Sequence, residues 1–108
     1  MKDLEASTFQ KRPCYRYIRA SDKLPVPGQD GFPPNPIARV KLFNPTGIGT
    51  WYLAEYDPAT RNAYGLCVLQ DAEIGYVSMA ELVEFRGRFG LPIERDLYWE
   101  PRPLSECN

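Results

Sequence analysis

The sequence contains no histidine. Serine–histidine–aspartate and cysteine–histidine catalysis are therefore excluded within this chain, because each needs an imidazole as its general base. A metal site built on two histidines is excluded for the same reason. Any acid–base catalyst must come from Asp, Glu, Lys, Tyr or Cys, so an enzyme is less expected than a binding protein.

Cysteines and long apolar runs are also scarce. Cys14, Cys67 and Cys107 are odd in number and widely spaced, so neither a disulfide framework nor a zinc site is predicted. No apolar run approaches the ~20 residues that span a bilayer, and residues 1–5 lack the apolar core of a signal peptide. We expect a cytoplasmic protein that needs no metal, cofactor or membrane.

Excess charge is missing too, since the net charge is only −1. No global field draws the protein to nucleic acid or to anionic lipid. The charges are nevertheless uneven, because residues 1–36 carry six Lys/Arg against four Asp/Glu and residues 37–108 carry seven against ten. This distribution indicates a mildly basic arm on a mildly acidic body, or simply solvated charge.

Proline is concentrated at the N-terminal end, where residues 1–36 hold six of the eleven. Proline lacks an N–H donor and disfavours helix in the residue before it, so we predict an irregular arm over residues 1–36. An alternating run at residues 14–19 could add an edge strand there. A single domain is expected at 37–105, followed by a tail at 106–108, and its small core makes a homodimer a reasonable expectation.

Alternating apolar and polar residues predict most of the domain's secondary structure. Three strands joined by short turns are predicted at residues 38–43, 50–56 and 64–69. A shorter strand is predicted at residues 75–77, and residues 95–99 predict a last one. The short connections favour antiparallel pairing of neighbouring strands.

One helix is predicted after the fourth strand. Ser78 and Glu81 match a capping box, which places the start of the helix at Met79. Gly87 and Gly90 predict its end. The simplest fold is α+β, a small antiparallel sheet of about four strands with one helix packed on one face, preceded by the Pro-rich arm.

Several phrases of the sequence, taken together, resemble a bacterial domain family of unknown function, DUF2958. The phrases are residues 36–45, 50–56, 74–82, 89–98 and 101–105. The resemblance implies a cytoplasmic bacterial protein, often encoded on plasmids, phages or other mobile elements. It implies no activity, cofactor or catalytic residue, and the stretch before Pro36 departs from the family's pattern.

Glu94, Arg95 and Asp96 form the densest charge cluster. On a strand, Glu94 and Asp96 face one way and Arg95 the other. One interpretation makes Arg95 a clamp for phosphate or carboxylate, with Glu94 as a base. The other makes Arg95 part of an internal ion pair that anchors the last strand.

Two pairs on the second predicted strand are binding candidates. Trp51 and Glu55 are expected to share one strand face, and Tyr52 and Tyr56 the other. An aromatic ring beside a carboxylate can form a binding platform. Such aromatics are also typical core residues.

Basic and acidic side chains offer two further candidate sites. Arg39 and Lys41 alternate with apolar residues, so both should point away from the core and could build a basic strip with the arm for nucleic acid. A solvated strand face is the simpler explanation of both residues. Asp71 and Glu73 could hold a hard cation, although two carboxylates in a loop rarely form a site.

Three functions remain open on the sequence alone. The first is an accessory protein that binds a protein partner. The second is a nucleic-acid-binding protein that uses the basic arm and the face of Arg39 and Lys41. The third is a histidine-free, ribonuclease-like enzyme that uses Glu94, Arg95 and a tyrosine.

Overall fold

The fold was analysed in a computed structural model, which describes residues 17–28 and 35–107. Its strands and its one α-helix are β1 (Ile37–Ala38), β2 (Val40–Phe43), β3 (Thr50–Asp57), β4 (Asn62–Val68), β5 (Ala72–Ser78), α1 (Met79–Glu84), β6 (Glu94–Arg95) and β7 (Arg102–Pro103). Short 3-10 helices lie at Ala20–Asp22, Arg88–Gly90 and Leu104–Glu106. The α+β class is therefore confirmed.

All strand pairs are antiparallel. One sheet has five strands in the order β5-β4-β3-β2-β6, and a second consists of β1 and β7. The prediction of about four strands was too low, because β6 pairs separately with β2 and the C-terminal segment adds β7. Strands β2, β3 and β4 follow one another as a meander, as their short connections predicted, and β5 continues it.

Turn chemistry fixes the hairpin between β3 and β4. The Asp57 side chain accepts a hydrogen bond from the backbone N–H of Ala59 at 2.9 Å. Arg61 takes a left-handed conformation at φ 63° and donates its backbone N–H to the carbonyl of Asp57 at 2.7 Å. This tight reversal sets the register of the two strands.

Helix α1 begins where the capping pattern predicted. Ser78 Oγ accepts a hydrogen bond from the backbone N–H of Glu81 at 3.3 Å. The helix ends at Glu84, earlier than the glycines indicated, because Phe85 adopts extended backbone. Arg86 Nη1 then donates to the carbonyls of Val83 and Phe85, which satisfies groups left open at the helix end.

The five-stranded sheet is covered on both faces. The main core lies on the face that carries α1 and consists of Tyr17, Ile18, Val40, Leu42, Leu53, Tyr56, Ala63, Val77, Met79, Leu82, Val83 and Ile93. The second core lies on the opposite face and consists of Ala38, Tyr52, Ala54, Leu66 and Leu104. Tyr17 and Ile18 precede the expected domain start at residue 37, yet both are fully packed.

The prediction of a last strand over residues 95–99 was wrong. Strand β6 stops at Arg95, because the Asp96 side chain accepts the backbone N–H of Tyr98 at 2.9 Å and turns the chain. Of the edge strand predicted at residues 14–19, residues 14–16 lie outside the described part. The rest of that run is not in a strand.

Within residues 17–28 and 35–107, no helix is long and apolar enough to cross a membrane.

Candidate functional site

A β-bulge in the middle of β3 shapes the candidate site. Leu53 pairs with Gly65 and Glu55 pairs with Tyr64, so Ala54 is an extra residue in β3. A Cβ atom at Gly65 would overlap the carbonyl oxygen of Tyr52, which explains the glycine at this point of β4.

The bulge reverses the alternation of β3. Tyr52 lies in the second core and Tyr56 in the main core, so the expectation that they share a face was wrong. Trp51 packs against the main core, whereas Glu55 pairs with Tyr64 on the other face. Both tyrosines are buried and offer no stacking platform to a ligand.

Beside the bulge, an open pocket of about 230 Å³ places Glu55 and Arg39 around one space. Its other lining residues are Pro25, Asn35, Pro36, Ile37 and Ala54. The backbone brings these segments together, because Tyr56 donates its N–H to Pro25 and Arg39 donates its N–H to Leu53, each at 2.9 Å.

Glu55 is the one buried charged residue among those described, with only 3% of its surface exposed. Its Oε1 atom is buried and has no hydrogen-bond partner in the structure. Burial raises the pKa of the Glu55 carboxyl above its usual value. A buried carboxylate oxygen without a donor costs free energy, so this residue can bind a group that supplies one.

Arg39 lies exposed at the same pocket. Its guanidinium forms no ion pair or hydrogen bond with Glu55 or with any other described residue. The structure thus places Arg39 and Glu55, two candidates from the sequence, at one pocket without an ion pair between them.

Arg95 forms the internal ion pair that was one of its two interpretations. Its two terminal nitrogens contact Asp22 at 2.7 and 2.6 Å, and Nη1 also donates to the carbonyl of Tyr17 at 3.0 Å. The side chains of Arg95 and Asp22 are only 11% and 10% exposed. This occupied guanidinium anchors the segment of residues 17–28 to β6 and does not form an open phosphate clamp.

Glu94, Arg95 and Glu55 do not form a cluster. Glu94 of β6 pairs with Phe43 of β2, and Phe43 pairs with Thr50 of β3. Glu55 lies five residues beyond Thr50 along β3. At about 3.3 Å per residue, this separation is roughly 15 Å. A catalytic group made of Glu94 and Arg95 with Glu55 is therefore excluded.

Lys41 packs under the C-terminal segment instead of standing in solvent. Its Nζ lies 5.7 Å from the ring centre of Tyr52 and 5.6 Å from that of Trp99, and it pairs with Asp96 at 3.6 Å. The guanidinium carbon of Arg102 also lies over the Trp99 ring, 4.3 Å from its centre. These contacts stabilise the second core and remove Lys41 from a basic strip with Arg39.

A second surface feature lies along the edge strand β5. Ile74 and Tyr76 are 58% and 61% exposed on the face that carries Leu66 and Tyr64 of β4. The Tyr76 ring meets the Tyr64 ring edge-on at 5.1 Å. These two β5 side chains were not among the candidates predicted from the sequence, although their alternation with Gly75 marks one face of a strand.

Asp71 and Glu73 are exposed beside an open pocket near the β4–β5 turn. Among the described residues, no group of three or more potential metal ligands occurs. Asp22, the partner of Arg95, was also missed, because its position in the Pro-rich arm gave no sign of a contact 73 residues away.

Comparisons with known proteins agree with the resemblance found in the sequence. The family model described as "Protein of unknown function (DUF2958)" matches residues 16–107 and so begins well before Pro36. No curated protein and no solved structure matches the chain. Because the family match covers most of the sequence, the chain belongs to the DUF2958 family.

Proposed function

We propose that this protein is a non-catalytic accessory protein that binds an extended segment of a partner protein along β5. The observation that carries the proposal is an exposed apolar pair, Ile74 and Tyr76, on a seven-residue edge strand. An edge strand presents unpaired backbone N–H and C=O groups, and adding a partner strand satisfies them.

The two edge strands of the five-stranded sheet, β5 and β6, differ in length. The edge strand β6 has only two residues, whereas β5 has seven. Proteins usually protect long edges with lysine, proline or a bulge. Strand β5 has none of these, and its one charged residue is Glu73.

The partner's side chains would contact Ile74 and Tyr76. The C-terminal segment covers Leu66 in the second core but leaves its cross-strand neighbour Ile74 exposed. An apolar partner side chain next to Ile74 would extend the second core across the edge of the sheet. Aromatic and aliphatic anchors of this kind carry most of the energy in protein interfaces.

The setting proposed for this function is the bacterial cytoplasm, in a cell that carries a mobile genetic element. The family resemblance supports this setting.

The test compares two double variants in partner capture. Ile74→Lys with Tyr76→Lys blocks the β5 face, whereas Ile48→Lys with Leu97→Lys changes two residues of matched exposure, 62% and 61%, elsewhere. A photo-crosslinking residue is placed at position 76 or, as a control, at position 97, and the cross-linked protein is identified by mass spectrometry. We expect the partner to cross-link at position 76 and to be lost only from the β5 variant.

Two results would overturn the proposal. The first is a partner that binds both double variants equally well. The second is a β5 surface that cross-links only to another copy of this chain, with light scattering showing a homodimer that the β5 variant abolishes.

Nucleic-acid binding is the weaker alternative. Lys41 is occupied by Asp96 and two aromatic rings, so Arg39 is left as the exposed cation of the predicted β2 face. Lys11, Arg12 and Arg16 of the proposed basic arm lie outside the described residues. Anisotropy titrations with labelled RNA and DNA at two salt concentrations test this alternative, which requires binding that weakens steeply with salt.

A further inference from the structure

We propose that the pocket beside the β3 bulge binds a small zwitterion of the α-amino acid class, with its ammonium group on Glu55 and its carboxylate on Arg39. The two opposite charges line one pocket of about 230 Å³ and do not pair with each other. The site lies away from the β5 edge proposed for the protein partner, and its test does not depend on that partner.

Glu55 supplies the acceptor for the ammonium group. Its carboxyl is almost completely buried, and Oε1 receives no hydrogen bond. Rotation about the last side-chain bond of glutamate is soft, so the carboxylate can turn an oxygen toward a donor in the pocket. An ammonium group offers three donors and a compensating charge, which makes a hydrogen bond stronger than a neutral donor can.

Arg39 supplies the donors for the carboxylate. A guanidinium presents N–H groups in a planar fork that matches the two oxygens of a carboxylate. The side chain is exposed at the pocket, and none of the described residues supplies a carboxylate to it. Its backbone is held by the hydrogen bond from its N–H to Leu53, which fixes the start of the side chain beside the bulge.

The remaining walls favour a ligand with an apolar side chain. Pro25, Pro36, Ile37 and Ala54 are apolar. The amide of Asn35 is engaged on both of its ends by Ser105, at 2.8 and 3.2 Å. Among the side chains of the lining, the two charged groups are thus the polar ones left for a ligand. The volume is below the range typical of drug-sized ligands.

The charge pattern discriminates against simpler ions. A lone amine would satisfy Glu55 but would approach the positive Arg39, and a lone carboxylic acid would meet the buried carboxyl. A small ligand that carries both charges avoids both penalties.

The experiment measures binding of three isosteric probes by calorimetry with the full chain. The probes are L-valine, isobutylamine (valine without its carboxylate) and isovalerate (valine without its amino group). Each is titrated to about 10 mM, because a small ligand with two charged contacts binds at millimolar level or tighter. We expect L-valine to bind and each single-charge probe to bind roughly tenfold more weakly or not at all.

Matched variants assign the two charges. Glu55→Gln and Arg39→Gln should each weaken L-valine binding by roughly tenfold or more. The exposed residues Glu84 and Arg88 provide controls, Glu84→Gln and Arg88→Gln, which should bind like the wild type. Circular dichroism spectra confirm that each variant is folded.

The proposal is overturned if L-valine does not bind, or if both pocket variants retain wild-type affinity. It is also overturned if isobutylamine binds as tightly as L-valine and Arg39→Gln has no effect, because the site would then recognise a cation alone. Should Glu55→Gln not fold, Arg39→Gln and the two single-charge probes still decide the outcome.

Discussion

At the scale of single residues, Glu55 differs most from its sequence context. A glutamate on an alternating strand is expected at the surface, yet Glu55 is buried because the bulge at Ala54 and the segment around Pro25 enclose it. A buried carboxyl whose Oε1 receives no hydrogen bond lowers stability, and buried groups of this kind with a shifted pKa are candidates for binding sites.

The first prediction concerns the pH dependence that Glu55 imposes. The pKa of the Glu55 carboxyl is higher in the folded state than in the unfolded state. At pH values between these two pKa values, the folded state therefore binds more protons than the unfolded state. The free energy of unfolding should therefore fall as pH rises through this window. Glu55→Gln removes this contribution, so the variant should gain stability relative to the wild type as pH increases.

Urea denaturation from about pH 4 to about pH 8 measures this difference. Glu84→Gln, at an exposed position of α1, is the control and should follow the wild type at every pH. A constant difference between Glu55→Gln and the wild type over the whole range would contradict the prediction.

The second prediction concerns the ion pair of Arg95 and Asp22. Asp22→Asn leaves the Arg95 guanidinium mostly buried and without its counter-charge, so we expect a loss of about 3 kcal/mol in the free energy of unfolding. Asp71→Asn, at an exposed turn, should change stability by less than about 0.5 kcal/mol.

The double variant Asp22→Leu with Arg95→Met tests whether the unpaired charge causes the loss. It removes both charges and should recover part of the stability that Asp22→Asn loses, because neither partner is then buried unpaired. Equal losses in Asp22→Asn and Asp71→Asn would show that the pair does not hold the N-terminal segment.

At the scale of elements, local sequence patterns predict the long strands but not the short ones. Strands β3 and β4 and the start of α1 match the alternation and capping patterns of the sequence. The pairs β1–β7 and β2–β6 are two residues long, which is too short to leave a periodic signal, and they form because the C-terminal segment returns to the sheet.

The third prediction compares two glycines of neighbouring strands. A Cβ at Gly65 overlaps the carbonyl of Tyr52 at the bulge, whereas a Cβ at Gly75 meets no atom within 4 Å. Gly65→Ala should destabilise the protein by about 2 kcal/mol or more. Gly75→Ala should be neutral or stabilise it by about 0.5 kcal/mol, because alanine restricts the unfolded chain.

Thermal and urea melts of the two variants give this comparison directly, since both changes add one methyl group to paired strands. A Gly65→Ala variant as stable as Gly75→Ala would mean that β3 and β4 are not held at the observed close approach.

At the scale of the whole molecule, one sheet carries a core on each face. The segment of residues 17–28 and α1 close the main core, and the C-terminal segment closes the second. The sheet is shared by both cores, so loss of either one exposes the same strands. Strand β5 is the outermost strand of the described sheet, at the margin of both cores, which is why Ile74 and Tyr76 stay exposed.

The fourth prediction is that the two cores unfold together. Ile93→Ala in the main core and Leu104→Ala in the second should each cost about 2–4 kcal/mol, since both side chains are buried. Each variant should still unfold in a single transition.

Tryptophan fluorescence separates the two faces. Trp51→Phe leaves Trp99 beside the second core, and Trp99→Phe leaves Trp51 against the main core. The midpoints from fluorescence and from circular dichroism should agree within each of these variants. Different midpoints for the two probes in one variant would show that the faces unfold independently.

Sequence patterns located the candidate site only in part. Arg39 and Glu55 were both singled out, because a charge on an alternating strand is visible in the sequence. Their common pocket was not predictable, since an extra residue in β3 reverses its faces and alternation cannot reveal a bulge. Ile74 and Tyr76 read as ordinary strand residues, and only the strand order shows that they lie at an edge.

The sequence by itself determined the α+β class, the meander of β2, β3 and β4, the start of the helix and the exclusion of histidine chemistry. These features depend on local spacing and on composition, which act through neighbours along the chain. The tertiary structure alone decided which charges are paired, which face each β3 residue takes and which edge strand of the described sheet carries exposed apolar side chains. Those outcomes depend on segments distant in sequence, the N-terminal one around Asp22 and the C-terminal one around Leu104, which pack on opposite faces of the same sheet.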